Sequence, residues 1–121
     1  FFTSNTMRYI VITGGSNMDA QLKRGILDIC VLTALLKEDS YGYKIIKDLH
    51  DVIDISESTL YPILRRLEKN GSLTVYTEEH NYRLRKMYRI TPAGVKKIQD
   101  YLEDLQELMN IYHYIQKEAR Q

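Results

Sequence analysis

The chain of 121 residues is 44% hydrophobic and 27% charged, and its formal net charge at pH 7 is +1. These values are those of an ordinary globular domain and exclude a disordered or fibrous chain. The single cysteine, Cys30, rules out an intrachain disulfide and a cysteine-based zinc site, and it favours a reducing, cytoplasmic location. The longest apolar run, residues 29–36, is too short to span a bilayer, so no membrane partner is predicted.

Residues 1–17 contain no helix cap and break at Gly14-Gly15, just before Met18. The first residue is not a methionine, and Met18 opens a well-organised segment. We therefore expect residues 1–17 to be either an extraneous, vector-derived extension or a genuine N-terminal arm.

Two helices are predicted before residue 53. The first runs from Met18 to Leu36 and is apolar on two adjacent stripes, so it must be covered by the core and by a further helix. The second runs from Tyr41 to Val52 after a polar turn, with Asp39 or Ser40 as its N-cap. Its inward residues are predicted to be Tyr43 or Ile45, together with Ile46, Leu49 and Val52.

A third helix is predicted between Ser56, whose side chain can cap its start, and Asn70-Gly71, which supplies a left-handed stop. Apolar residues at helical spacing give it one apolar face, and hydroxyl and cationic groups fall largely on the other side. The apolar set is Leu60, Ile63, Leu64 and Leu67, and the polar set includes Ser58, Tyr61, Arg65, Arg66 and Lys69.

A two-stranded hairpin is predicted next, because apolar and polar residues alternate over residues 73–78 and again over residues 84–90. A helix followed by a basic hairpin is the layout of a winged helix-turn-helix, in which the helix enters the major groove and the wing touches phosphates or the minor groove. The predicted fold class is therefore mainly α with a two-stranded β-wing. The hairpin cations are Arg83, Arg85, Lys86 and Arg89.

The charges are segregated along the chain. Residues 56–90 hold seven basic and four acidic side chains, a balance of +3, whereas residues 100–121 hold two basic and five acidic ones, a balance of −3. Such a separation is expected where one face meets a polyanion and another faces solvent or a partner.

The last helix is predicted to begin at Thr91-Pro92, an N-cap followed by proline at the first helical position. It would extend for about 28 residues, or about 40 Å, which is longer than a small domain can cover. Its far end therefore needs a partner. Residues at alternating spacings of four and three predict a seam against another helix: Ile98, Leu102, Leu105, Met109, Tyr112 and Gln116.

Three segments are distinctive in their order and spacing: YGYKI at residues 41–45, STLYPILRRLEKNG at 58–71 and RKMYRITPAG at 85–94. They resemble the PadR family of bacterial winged-helix repressors, and one departure is the wing tip at 80–83, where relatives usually carry glycines or small residues. The resemblance implies a homodimer of the small subclass with a single C-terminal helix. The expected organisation is an extension at 1–17, a winged-helix DNA-binding domain at 18–91 and a dimerisation helix at 92–121.

The layout and the resemblance together predict two interfaces. Two-fold symmetry implies an inverted-repeat operator in double-stranded DNA, with half-sites about 34 Å apart. Of Tyr41 and Tyr43, one is expected to touch the DNA backbone and the other to pack beneath the third helix. The other predicted DNA contacts are Ser58, Thr59, Tyr61, Arg65, Arg66, Lys69, Arg85 and Lys86, for which a solvated surface is the alternative. The predicted dimer contacts are Leu22, Ile26, Ile29, Ile98, Leu102, Leu105, Met109 and Tyr112.

The resemblance also implies a repressor released by a small aromatic effector. Tyr101, Met109 and Tyr112 are candidates to line its site at the dimer interface, and plain packing is the alternative. An enzyme is disfavoured, because no phosphate loop, nucleophile elbow or zinc pattern is present, and neither a cofactor nor a metal is predicted. The alternative function is a dimeric adaptor that binds protein, whose binding would depend little on salt.

Overall fold

The computed structural model describes residues 20–120, with side chains from residue 24 onward. The predicted extension at 1–17 and the side chain of Leu22 lie outside the described residues. Within the described range the elements are helices α1 (Ala20–Thr33), α2 (Gly42–Leu49) and α3 (Glu57–Lys69), strands β1 (Leu73–His80) and β2 (Arg83–Ile90), and helix α4 (Pro92–Ala119). The strands form one antiparallel sheet, so the predicted mainly α fold with a two-stranded wing is confirmed.

The core lies between α1, α2 and α3 and is closed by the base of the hairpin and the start of α4. The predicted apolar face of α3 is buried in full. Helix α1 ends at Thr33, short of the predicted Leu36, because its last turn tightens and the N–H groups of Leu35 and Leu36 bond three residues back. Ile29 and Ile98, which were predicted at a dimer interface, are buried in this core of the chain itself.

The predicted cap of α2 is wrong. Tyr41 is the N-cap and its side chain makes no capping hydrogen bond, because Asp39 and Ser40 contact the hairpin instead. Ile45 is buried as predicted. The helix stops at Leu49, and the residue predicted to face inward at its far end, Val52, is 54% exposed.

Both predicted ends of α3 are confirmed. The Ser56 hydroxyl accepts a hydrogen bond from the backbone N–H of Thr59 at 3.3 Å, which satisfies one of the amides that a helix start leaves open. Gly71 follows the helix with a φ of 82°, the left-handed conformation that glycine adopts without strain.

The wing is a hairpin with a two-residue turn. Strands β1 and β2 pair from Leu73 opposite Ile90 to His80 opposite Arg83. The turn residues Asn81 and Tyr82 both have positive φ, 51° and 65°, as a type I′ turn requires to match the twist of the strands. The wing tip is therefore built without the glycines usual in the relatives it resembles.

Helix α4 packs closely at its start and is mostly exposed towards its C-terminal end. The Thr91 hydroxyl accepts the N–H of Gly94, and a Cβ atom on Gly94 would collide with the carbonyl oxygen of Ser72. Beyond Tyr101 the described helix contains no buried residue, although it carries many apolar side chains. No helix within residues 20–120 has both the length and the apolar character needed to cross a membrane.

Candidate nucleic-acid interface

The outer side of α3 presents one row of exposed side chains, which we call the α3 row: Ser58, Pro62, Arg65 and Lys69. Their spacings of four, three and four residues keep them on one line, because each residue turns the helix by about 100°. That line lies opposite the buried apolar face. Burial of that face therefore orients the row towards solvent.

Pro62 is the member of the α3 row that was not predicted as a DNA contact. It lies inside the helix and has no N–H, so the carbonyl of Ser58 lacks its usual intrahelical donor. A proline ring and an open carbonyl in the centre of the row offer an apolar contact and an acceptor. The four-three-four spacing was visible in the sequence and is the signal that marks this position.

Arg66 is placed differently from its neighbour Arg65. Its guanidinium donates to the Asp28 carboxylate at 2.5 Å, and Asp28 is only 7% exposed. This ion pair ties α3 to α1, and breaking it would leave a buried charge without compensation. Arg66 is thus already engaged inside the chain, whereas Arg65 stands free on the α3 row.

Tyr61 and Thr59 flank the α3 row and are half-buried. Tyr61 packs against the core, and its ring lies so close to Gly42 that a Cβ atom there would collide with it. The pairing explains why the second residue of the YGYKI segment is a glycine. The Tyr61 ring therefore joins α2 to α3.

The two tyrosines at the start of α2 have different surroundings. Tyr43 is 67% exposed. Tyr41 is half-buried, with the guanidinium of Arg85 stacked 3.9 Å from the centre of its ring. The half-buried Tyr41 therefore lies against Arg85 of the wing.

On the wing, as on α3, an arginine is engaged by neighbouring side chains while other cations are exposed. Arg85 stacks on Tyr41 and also donates to Glu78 at 3.4 Å. Lys86 and Arg83 are exposed. The side chains open to a large anion are therefore Lys86 and Arg83 on the wing, together with Arg65 and Lys69 on the α3 row.

At the base of the wing, Asp39, Tyr76 and Arg89 form a hydrogen-bonded group that we call the Asp39 cluster. The Tyr76 hydroxyl donates to the Asp39 carboxylate at 2.5 Å, and Arg89 Nε donates to its two oxygens at 3.0 and 3.2 Å. The bond from Arg89, followed by that from Tyr76, lowers the pKa of Asp39, while the Asp39 carboxylate raises the pKa of Tyr76 and of Arg89. Asp39 is therefore ionised at neutral pH and neutralises Arg89.

The remaining predicted dimer contacts lie along α1 and α4. Ile26 and Leu105 are half-buried, and Leu102, Met109 and Tyr112 are exposed. The exposed set lies on the part of α4 that extends beyond the core.

The model of the transcriptional regulator PadR-like family matches residues 31–100, a segment that runs from α1 through the wing into α4. The chain belongs to this family. It is a PadR-like transcriptional regulator, and members of the family are regulators rather than enzymes.

Solved structures of transcriptional regulators resemble this chain, and a curated relative is similar in sequence. A transcriptional regulator from Clostridium thermocellum is 34% identical, with a TM-score of 0.71 over 80% of this chain and 96% of that one. Bacillus subtilis PadR, solved in complex with operator DNA, is 27% identical, with a TM-score of 0.60 over 64% of this chain and 46% of that one. An uncharacterized protein from Lysinibacillus sphaericus is 32% identical over 93 residues, 73% of this chain and 85% of the relative.

Proposed function

We propose that this PadR-like regulator binds an inverted-repeat operator in double-stranded DNA as a homodimer and acts as a repressor in the cytoplasm. The observation that carries the proposal is the α3 row, a solvent-facing line of hydroxyl, proline and cationic groups backed by a fully buried apolar face. A helix with such a face is the usual element for reading the major groove. The structural similarity to a PadR protein solved with operator DNA supports the same reading.

Within this proposal the exposed polar side chains of the α3 row and Lys86 of the wing contact the DNA. Arg65 and Lys69 supply phosphate contacts, and an arginine at this position can also read guanine in the major groove. Ser58 supplies a base or phosphate hydrogen bond at the start of α3. Lys86 contacts phosphates from the wing. Arg66 is removed from our contact set, because Asp28 holds its guanidinium against α1.

Dimerisation is proposed to occur through the far half of α4, where the predicted seam continues beyond the core. Leu102, Met109 and Tyr112 are exposed there, and Leu105 is half-buried between them. A second copy of the same helix, related by two-fold symmetry, would cover these side chains. The two copies of α3 would then reach successive major grooves, about 34 Å apart.

Release of DNA by a small aromatic effector completes the proposal. It is supported by an open groove of about 380 Å³ between α1 and α4, in which Tyr101 offers an aromatic ring among charged side chains such as Lys97 and Asp100. Gly25 of α1 also lines this groove, with the Tyr101 ring packed beside it. An effector bound there would change how α4 packs on α1, and with it the spacing of the two α3 helices.

The proposal is tested by measuring duplex binding of the Arg65→Ala, Lys69→Ala double variant over a range of salt concentrations. DNA from upstream of the coding region serves as the probe. We expect weaker binding and a salt dependence whose slope falls by about 3.6, because about 0.9 is lost for each phosphate contact removed and the dimer loses two contacts in each subunit. Unchanged affinity and slope would remove the α3 row from the interface.

Arg66→Ala is the matched control, because it removes the adjacent arginine of the same helix. We expect a free energy of unfolding lower by about 2 kcal/mol, less than for a fully buried pair because the Arg66 side chain is 36% exposed. The salt slope of the remaining folded protein should stay that of the wild type. A flattened slope in Arg66→Ala would return this residue to the contact set.

A further inference from the structure

The segment that joins α1 to α2 contacts the wing through three consecutive residues. Asp39 binds Tyr76 of β1 and Arg89 of β2. Ser40 pairs with Tyr88 through two backbone hydrogen bonds, of 3.1 and 2.8 Å. Tyr41 lies under the guanidinium of Arg85, and α2 begins at the next residue. The wing is thus fastened directly to the start of the helix-turn-helix.

The contacts at Asp39 are the strongest of the three by their chemistry. Both carboxylate oxygens accept hydrogen bonds, and the donors come from both strands of the hairpin. A charged acceptor bound by a guanidinium makes shorter and stronger hydrogen bonds than a neutral pair. The Arg89 guanidinium also lies 5.1 Å from the centre of the Tyr76 ring, so the two donors support each other.

This arrangement uses the Arg89 cation internally. Its guanidinium lies 2.8 Å from the Asp39 carboxylate, so the pair carries no net charge towards a phosphate. Lys86, three residues earlier on the same strand, is exposed and keeps its charge. Arg89 and Lys86 of β2 therefore have separate tasks, Arg89 in holding the wing and Lys86 in meeting an anion.

We propose that Asp39 is a positioning residue that fixes the wing relative to α3 and so raises operator affinity without touching DNA. The inference rests on the function proposed above. A wing that already has its bound orientation in the free protein loses less conformational entropy on binding. The smaller entropy loss makes operator binding tighter. Tyr76 and Arg89 act through Asp39, whereas Lys86 acts on the phosphates directly.

The test compares Asp39→Asn with Lys86→Ala on the same operator duplex. Asparagine keeps the size of the side chain but cannot hold the guanidinium as a carboxylate does. We expect Asp39→Asn to raise the dissociation constant about fivefold without lowering the salt slope, because no phosphate contact is lost. Lys86→Ala should weaken binding and lower the slope by about 1.8, because the dimer loses one phosphate contact in each subunit.

Two further variants test whether the loss of affinity comes from wing positioning, from a change in net charge or from lower stability of the whole domain. Tyr76→Phe removes one donor at constant net charge and should weaken binding in the same direction by a smaller factor. Val31→Ala, in the core of α1, should lower the melting temperature while the dissociation constant of the folded protein stays unchanged. In Asp39→Asn, the backbone amides of Ser40 and Tyr88 should exchange hydrogen faster than in the wild type.

Equal or tighter operator binding by Asp39→Asn would overturn the inference, since tighter binding would mean that Asp39 only repels DNA. Unchanged amide exchange at Ser40 and Tyr88 would overturn it as well. Failure of the wild-type protein to bind any duplex would overturn the proposed function and this inference together. Normal wild-type binding with an unaffected Asp39→Asn variant would overturn this inference alone.

Discussion

The winged-helix body, residues 24–101, and the far half of α4, residues 102–119, use the same apolar residue types in opposite surroundings. Leu60 in the body is 0% exposed, whereas Leu108 in α4 is 50% exposed. The body buries the apolar side chains of its core by its own folding. In the far half of α4 most apolar side chains are exposed as far as residues 24–120 are concerned, so they gain stability when another surface covers them.

The largest effect is expected from shortening a core side chain of the body. Leu60→Ala should lower the free energy of unfolding by about 3 kcal/mol, through lost apolar burial and the cavity left behind. Urea denaturation followed by circular dichroism measures this loss. Leu108→Ala is the matched change in the far half of α4, and at protein concentrations too low for association it should cost less than about 0.5 kcal/mol. Equal losses in the two variants would contradict the contrast between the regions.

A change in the seam should act on association instead of folding. We expect the Leu105→Ser, Met109→Ser double variant to raise the dimer dissociation constant about a hundredfold, which corresponds to about 2.7 kcal/mol shared among four apolar side chains, two from each subunit. Sedimentation velocity over a range of concentrations measures it. Gln106→Ser with Asn110→Ser, which alters uncharged residues on another side of α4, is the control and should remain dimeric. A seam variant that stays fully dimeric would show that the interface lies elsewhere.

The smallest effect on stability is expected at the wing tip, where an exposed tyrosine has a positive φ. Tyr82 is 97% exposed and has a φ of 65°, a conformation that a side chain with a Cβ atom adopts at some cost. Tyr82→Gly should relieve that strain and raise the melting temperature, with a gain of about 0.5 kcal/mol.

The Tyr82→Gly variant also tests whether exposed apolar groups outside α4 contribute to association. Its dimer dissociation constant should equal that of the wild type. Asn81→Gly is the control for the melting temperature and should gain less, because asparagine tolerates the left-handed region. A lower melting temperature in Tyr82→Gly would mean that the ring makes stabilising contacts at the wing tip.

Features that depend on neighbours in the chain were predictable from the sequence. Ser56 and Thr91 bond to amides three residues ahead, and Gly71 supplies a local left-handed turn, so each needs only its own segment. The burial of Leu60 and Leu67 follows from helical spacing in the same way. The α3 row, opposite that face, was implied by the same periodicity even though Pro62 was not recognised as part of it.

Features that depend on distant residues were decided only by the tertiary structure. Aspartate is a residue type that commonly caps helices, yet the side chain of Asp39 bonds instead to Tyr76 and Arg89, 37 and 50 residues away. The hydrogen bond between the two charged groups is stronger than one to a nearby backbone amide. Arg65 and Arg66 are adjacent and chemically identical, but a turn of about 100° places one in solvent and the other against Asp28 of α1. The sequence by itself determined the order of the elements, the caps of α3 and α4 and the apolar face of α3, because these arise from short-range spacing. Which polar groups remained free to meet a partner was settled by folding, because only folding brings charges from separate segments within hydrogen-bonding distance.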